Sequence, residues 1–251
     1  MIPLKDDLPS RTVPVVTIGL IALNVLAYLY QLSLEMSSQP LSVSSAADVS
    51  CLRLDPAVAA ANPALAFVCE LGAIPCRLMD RCAAPDTFPH PYLTVFTSMF
   101  LHGGFLHLGG NMLYLWIFGN NVEDTLGHGR FLFFYLLSGV AAAFAQTFFN
   151  AGSAVPMIGA SGAVSGVLGA YLLLFPYATV LTLVMFGFFI RFIHIPALFV
   201  LGFWIVLQFL QGYLSLGAAD GGGVAFLAHV GGFVVGMGLL FVMRPRRDGR
   251  L

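Results

Sequence analysis

GASGAVSGVLGAYLLLF, residues 159–175, is an uncharged run between Pro156 and Pro176. As a helix at 1.5 Å per residue its 17 residues reach about 25 Å, less than the roughly 30 Å hydrocarbon core of a bilayer. Its first turn is therefore expected below the outer surface, with Ser161 at the bottom of a dip. Gly162, Gly166 and Ala170 recur at i, i+4 and i+8 and form a small-residue face. Ala228, Gly232 and Gly236 form another around His229. Such faces let two helix backbones come close in lipid. A serine beside one and a histidine beside the other then come within hydrogen-bonding reach, as a nucleophile and its base must. Glycines that only pack helices, with His229 satisfying a backbone carbonyl, would give the same spacing.

The rest of the chain agrees with a membrane setting. Of 251 residues, 9% are charged and 59% hydrophobic, and the mean hydropathy is +0.89. Soluble domains carry roughly 25% charged residues, so a soluble globule is excluded. A net charge of -1 leaves no basic surface for a run of phosphates, and no nucleic-acid partner is expected. Six windows are long enough to cross a bilayer, near 13–34, 105–122, 131–150, 159–175, 196–214 and 223–243. The first exceeds the roughly 7–15 apolar residues of a signal peptide, so a retained anchor is expected. Six spans put both ends on one side. Lys5, Arg11, Arg130, Arg191, Arg244, Arg246, Arg247 and Arg250 then lie inside, and only Arg53, Arg77 and Arg81 outside, which favours cytoplasmic termini. The reading is an all-α membrane protein in a bacterial inner membrane. Its parts are a cytoplasmic N-terminus (1–12), a six-helix domain (13–243) with a long first outer loop (35–98), and a basic cytoplasmic tail (244–251).

The outer loop contains all four cysteines, Cys51, Cys69, Cys76 and Cys82. In an oxidising compartment they can form two disulfides in any of three pairings. Their spacing is poor for zinc, and no metal is expected. The segment 177–195 carries β-branched and aromatic runs on either side of Gly187 and predicts a hairpin at the inner surface rather than a seventh span.

Polar groups inside spans are costly and mark function by default. Glu123 and Asp124 fall just past the second span, leaving His107, Asn111, Ser161, Ser165 and His229, with Gln146, Gln208 and Gln211 as further polar groups. The second, fourth and sixth spans all run inward, and His107, Ser161 and His229 each fall near the outer start of theirs. Three helices thus bring reactive side chains to one level.

GASG at 159–162, AHVGG at 228–232 with Gly236, and HGGFLHLGGN at 102–111 together resemble the rhomboid family of intramembrane serine proteases, over roughly residues 97–240 and the first span. The resemblance implies a six-transmembrane-helix bundle with Ser161 as nucleophile and His229 as general base. It also implies an oxyanion hole lined by His107 and Asn111, no cofactor, and membrane-protein substrates cut near the outer face of the lipid bilayer. His107 and Asn111, at i and i+4, share a helix face and can donate toward one oxyanion. His102, Gly159 and Gly162 would support the site, and Gly166, Gly232 and Gly236 would pack it. With no carboxylate in the spans, no third residue orients His229 electrostatically, so a dyad is expected. His90, His128 and His194 read as solvated.

Two positions depart from the family pattern. Leu93 and Thr94 stand where many members have a Trp-Arg pair, and Ser165 stands where many have an aromatic stacking on the histidine. Other classes fit less well. A channel or transporter would want acidic groups along its path, and a metalloprotease would want H-E-x-x-H. A non-catalytic binder of membrane helices would be expected to lose the serine or the histidine, and both remain.

Overall fold

In a computed structural model, residues 1–39, 51–52, 54–82, 89–186, 189–215 and 225–244 are described. Arg53, Gly187, residues 216–222 and those beyond Arg244 lie outside them. A helix forms at each of the six apolar windows: α1 (Val15–Ser37), α6 (Phe105–Leu126), α7 (His128–Phe149), α8 (Ser161–Leu174), α9 (Ala197–Ser215) and α10 (Phe226–Met243). Four of these, α1, α7, α9 and α10, are long and apolar enough to cross a membrane, and α8 is apolar but shorter. The outward faces carry large bare side chains such as Phe133, Phe148, Phe199, Leu214 and Val242. So much exposed apolar surface is the mark of a lipid-facing exterior.

Inside, α8 is the hub, buried from Gly162 through Tyr171 and flanked by α6, α7 and α10. The small-residue faces meet as expected. Gly162 lies against Gly232 and Ala142, and Gly166 lies against Gly236 and Ser138. A Cβ at Gly236 would meet the backbone of Gly166, so close approach itself requires glycine there.

Outside the spans the chain is more ordered than its sequence suggests. Among the described residues of 35–98 the chain forms four short helices, α2 (Pro56–Ala61), α3 (Pro63–Leu71), α4 (Pro75–Leu78) and α5 (Pro91–Thr97). Each starts with proline, whose missing N–H costs nothing there. Asp55 and Asn62 cap α2 and α3 through Ala57 N–H (2.7 Å) and Leu65 N–H (2.9 Å). The cysteines pair Cys51–Cys69 and Cys76–Cys82. This cap is hydrogen-bonded to the segment leading into α8: Ala73 exchanges both backbone bonds with Met157, and Cys76 N–H donates to Ser153 O at 3.0 Å. Arg77 donates to the carbonyls of Cys69 and Cys51, and burial lowers its pKa from the usual arginine value.

At the opposite end the fold is not purely helical. The expected hairpin forms from β2 (Thr179–Phe186) and β3 (Phe189–Pro196), and a third strand, β1 (Ile2–Asp6), joins β2 in the order β1-β2-β3. The strand at Ile2–Asp6 has no signal of its own, because five residues including Pro3 show no alternation; its partner defines it. Buried Asp6 accepts from Asn121 Nδ2 (2.6 Å) and Tyr171 OH (2.7 Å). The second expected span, 105–122, also runs further than expected, so that Glu123 and Asp124 lie within α6. Glu123 is fully buried and caps α1, which has no cap of its own. It accepts from the N–H groups of Val16 (2.9 Å) and Thr17 (2.8 Å), where the helix dipole favours a carboxylate. His128, read as solvated, contacts that carboxylate at 2.6 Å. Asp124 holds Arg11 and Thr12 through their backbone N–H groups.

Candidate active site

Ser161 is the first residue of α8, and the turn before it passes through Gly159 at φ +122°. A side chain there would be strained, and its Cβ would stand 2.8 Å from the His107 ring. Because α8 starts at Ser161, its first N–H groups have no intrahelical carbonyl to meet. From α10, His229 places Nε2 2.8 Å from Ser161 Oγ. The two side chains face each other across the seam whose glycines let α8 and α10 approach.

Both open onto a cavity of about 1460 Å³, which His107, Asn111, Trp204 and Arg81 also line. His107 lies in the first turn of α6, and its Nδ1 accepts from Gly103 N–H at 3.3 Å. Asn111 follows one turn later on the same face. It is only 8% exposed, and its Nδ2 has no partner among the described residues. His102 is buried beside them, its ring edge-on to His107 at 5.1 Å. Gln31 of α1 holds its backbone, donating to His102 O (3.2 Å) and accepting from His102 N–H (2.9 Å). Burial, and then the nearby His107, lower the His102 pKa to about 4, so it stays neutral near pH 7. His90 and His194 are exposed.

Two contacts were not foreseen. Gln208 of α9 places Oε1 2.6 Å from His229 Nδ1, so a third side chain does meet the histidine, and it is a neutral amide rather than a carboxylate. Trp204, one turn earlier, lies over the same ring, with centroids 5.9 Å apart and planes tilted by 35°. An aromatic partner thus reaches His229 from α9, while Ser165 turns away and donates to Ser161 O at 2.6 Å. The sequence held one signal for this pair: Trp204 and Gln208 are at i and i+4 and share a face. Gln146 accepts from Ala228 N–H at 3.2 Å, just before His229, and Gln211 is exposed.

A hydroxyl, an imidazole and convergent donors at a helix N-terminus can together support acyl transfer. Comparison with known proteins shows the family. The Rhomboid domain family model matches residues 89–246. Rhomboid protein 1, mitochondrial, of Saccharomyces cerevisiae is 33% identical over 150 residues, which are 58% of this chain and 40% of that protein. Rhomboid protease GluP of Bacillus subtilis is 46% identical over 76 residues, 30% of this chain and 14% of that protein. RHOMBOID-like protein 1 of Arabidopsis thaliana is 33% identical over 159 residues, 62% of this chain and 36% of that protein. The chain therefore covers less than half the length of these relatives. The family match takes in all five of Ser161, His229, His107, Asn111 and Gln208. This mostly helical, multi-pass membrane chain belongs to the rhomboid family.

Proposed function

We propose that the chain is an intramembrane serine endopeptidase that cuts transmembrane helices of membrane-protein substrates near the outer face. It would cross the bilayer six times with both termini cytoplasmic, leaving the disulfide-bonded cap in an oxidising compartment. The observation that carries this reading is the 2.8 Å contact between Ser161 and His229 at the wall of an open cavity. One relative, from Bacillus subtilis, is itself named a protease.

In this reading Ser161 Oγ attacks the scissile carbonyl carbon while its proton passes to His229 Nε2. The tetrahedral oxyanion is met by His107, Asn111 and the first N–H groups of α8. The C–N bond then breaks as His229 returns the proton to the leaving amine. Water attacks the acyl ester with His229 again as base, releasing the new carboxyl end and restoring the serine. His102, Gly159 and Gly162 support these groups without entering the chemistry.

The test is incubation of detergent-purified protein with a panel of single-span substrates, beside Ser161→Ala and His229→Ala. The parent should cut at least one substrate and take up one fluorophosphonate at Ser161, and both variants should lose cleavage. Equal labelling of the parent and Ser161→Ala would overturn the assignment of the nucleophile. Helix binding by the parent without any cleavage or labelling would establish a non-catalytic binder instead.

A further inference from the structure

A Ser161 and His229 dyad works in only one state of the imidazole. Nε2 must present a lone pair to the serine hydroxyl, so the ring proton must sit on Nδ1. A neutral imidazole carries its proton on either nitrogen, and the hydrogen bond at one of them decides which. In Ser-His-Asp sites a buried carboxylate decides it. No carboxylate lines this cavity among the described residues; the ionisable groups there besides His229 are His107, Tyr114 and Arg81.

Gln208 occupies the deciding position. Its Oε1 accepts from His229 Nδ1–H at 2.6 Å, and an amide oxygen has no proton to give. Trp204, tilted by 35° with its centroid 5.9 Å from that of the ring, and Phe226, edge-on at 6.5 Å, flank the imidazole on other sides. An amide also suits the medium, because a carboxylate within a spanning helix is costly.

We infer that Gln208 is a positioning residue for the proposed dyad, its side-chain carbonyl fixing the tautomer and orientation of His229 as a carboxylate does in a triad. The inference rests on the endopeptidase reading and is tested on the same full-length protein in detergent. Gln208→Met keeps the length of the side chain and removes the acceptor. It should lower kcat and the rate of fluorophosphonate labelling at Ser161 together, by about 10- to 100-fold, the range seen when a metal-bound histidine loses its outer hydrogen-bond partner. KM should stay within about twofold, because no substrate contact is lost. Gln208→Glu restores an acceptor. It should recover kcat in the alkaline range and move the acid limb of the pH–rate profile to higher pH, since a carboxylate stabilises imidazolium.

Parent rates in Gln208→Met would overturn the inference. So would a loss in Gln208→Met that Gln208→Glu fails to recover at any pH, which would assign Gln208 to packing alone. Failure of the parent itself to label at Ser161 has a different meaning, because it removes the dyad on which the inference stands.

Discussion

Where α8 meets α10 the contact is backbone against backbone, whereas over the Ser161 end of the bundle residues 51–82 meet the segment 151–159 through hydrogen bonds and are tied to themselves by two disulfides. Both regions hold the same site. The seam fixes the distance between Ser161 and His229 and has no room to adjust. The cap supports the approach to α8 with a small apolar cluster around Cys51, Cys69, Ile74 and Cys76. Lipid explains the difference. Between spans there is no hydrophobic driving force, so close packing of small residues must supply the attraction. In the cap, which has so small a core, covalent staples supply what packing does not.

Breaking the seam should therefore have the largest effect. Gly236→Leu drives a side chain into the Gly166 backbone, which cannot move aside as a side chain can. Ordinary overpacking costs about 1–3 kcal/mol, and this substitution should exceed that range. Expression with Ser161 labelling should show no active protein. Gly238→Leu on the same helix is the control, since a Cβ there meets nothing within 4 Å. Survival of Gly236→Leu with parent activity would show that the seam does not set the dyad distance.

Next come the groups that face the cavity without belonging to the seam. His107→Ala and Asn111→Ala should each lower turnover by about 10² to 10³ while leaving substrate binding intact, because oxyanion donors act where charge develops. Unchanged turnover in both would remove them from the site.

The cap should be weaker still in its effect on chemistry. In the chain-entropy picture, closures of 18 and 6 residues are worth about 3 and about 2 kcal/mol. Changing all four cysteines to serine should lower the thermal midpoint clearly. Below that midpoint Ser161 should label within about tenfold of the parent rate. Loss of proteolysis in a folded all-serine protein would contradict the non-catalytic reading of these cysteines.

The seam was legible in the sequence because its requirement is local: small residues every fourth position beside a serine and a histidine. The hairpin was legible too, from β-branched runs on either side of a glycine. The cap was only half legible, since cysteine count fixes the number of bonds but not which of three pairings the loop geometry allows. Gln208 was visible only as one of three glutamines, because which of them meets His229 depends on how α9 is rotated. Ile2–Asp6 gave no strand signal, and Glu123 and Asp124 fell just past the expected second span. Their roles come from partners more than 100 residues away in sequence, which periodicity does not report.

Those carboxylates secure the end of the bundle away from the site, and there the smallest effect is expected, on stability alone. Burial raises the pKa of Asp6 above its usual 3.8, against the opposing hydrogen bond from Tyr171. A carboxyl raised in the folded state binds its proton more tightly there than in the unfolded chain. Stability is thus lost as pH climbs from 3.8 through the folded value, and the cost persists above it. Asp6→Asn keeps an oxygen for Asn121 and Tyr171 but cannot ionise. Thermal unfolding should show it at least as stable as the parent at pH 7, with the advantage vanishing toward pH 4. Asp6→Ala leaves Tyr171 OH without its acceptor and Asn121 Nδ2 with Asn120 Oδ1 alone, and should lose about 1–3 kcal/mol at either pH. Labelling of Ser161 in Asp6→Asn should match the parent, since Asp6 lies at the end of the bundle away from the site. A pH-independent difference between Asp6→Asn and the parent would show that the Asp6 carboxyl does not titrate differently on folding.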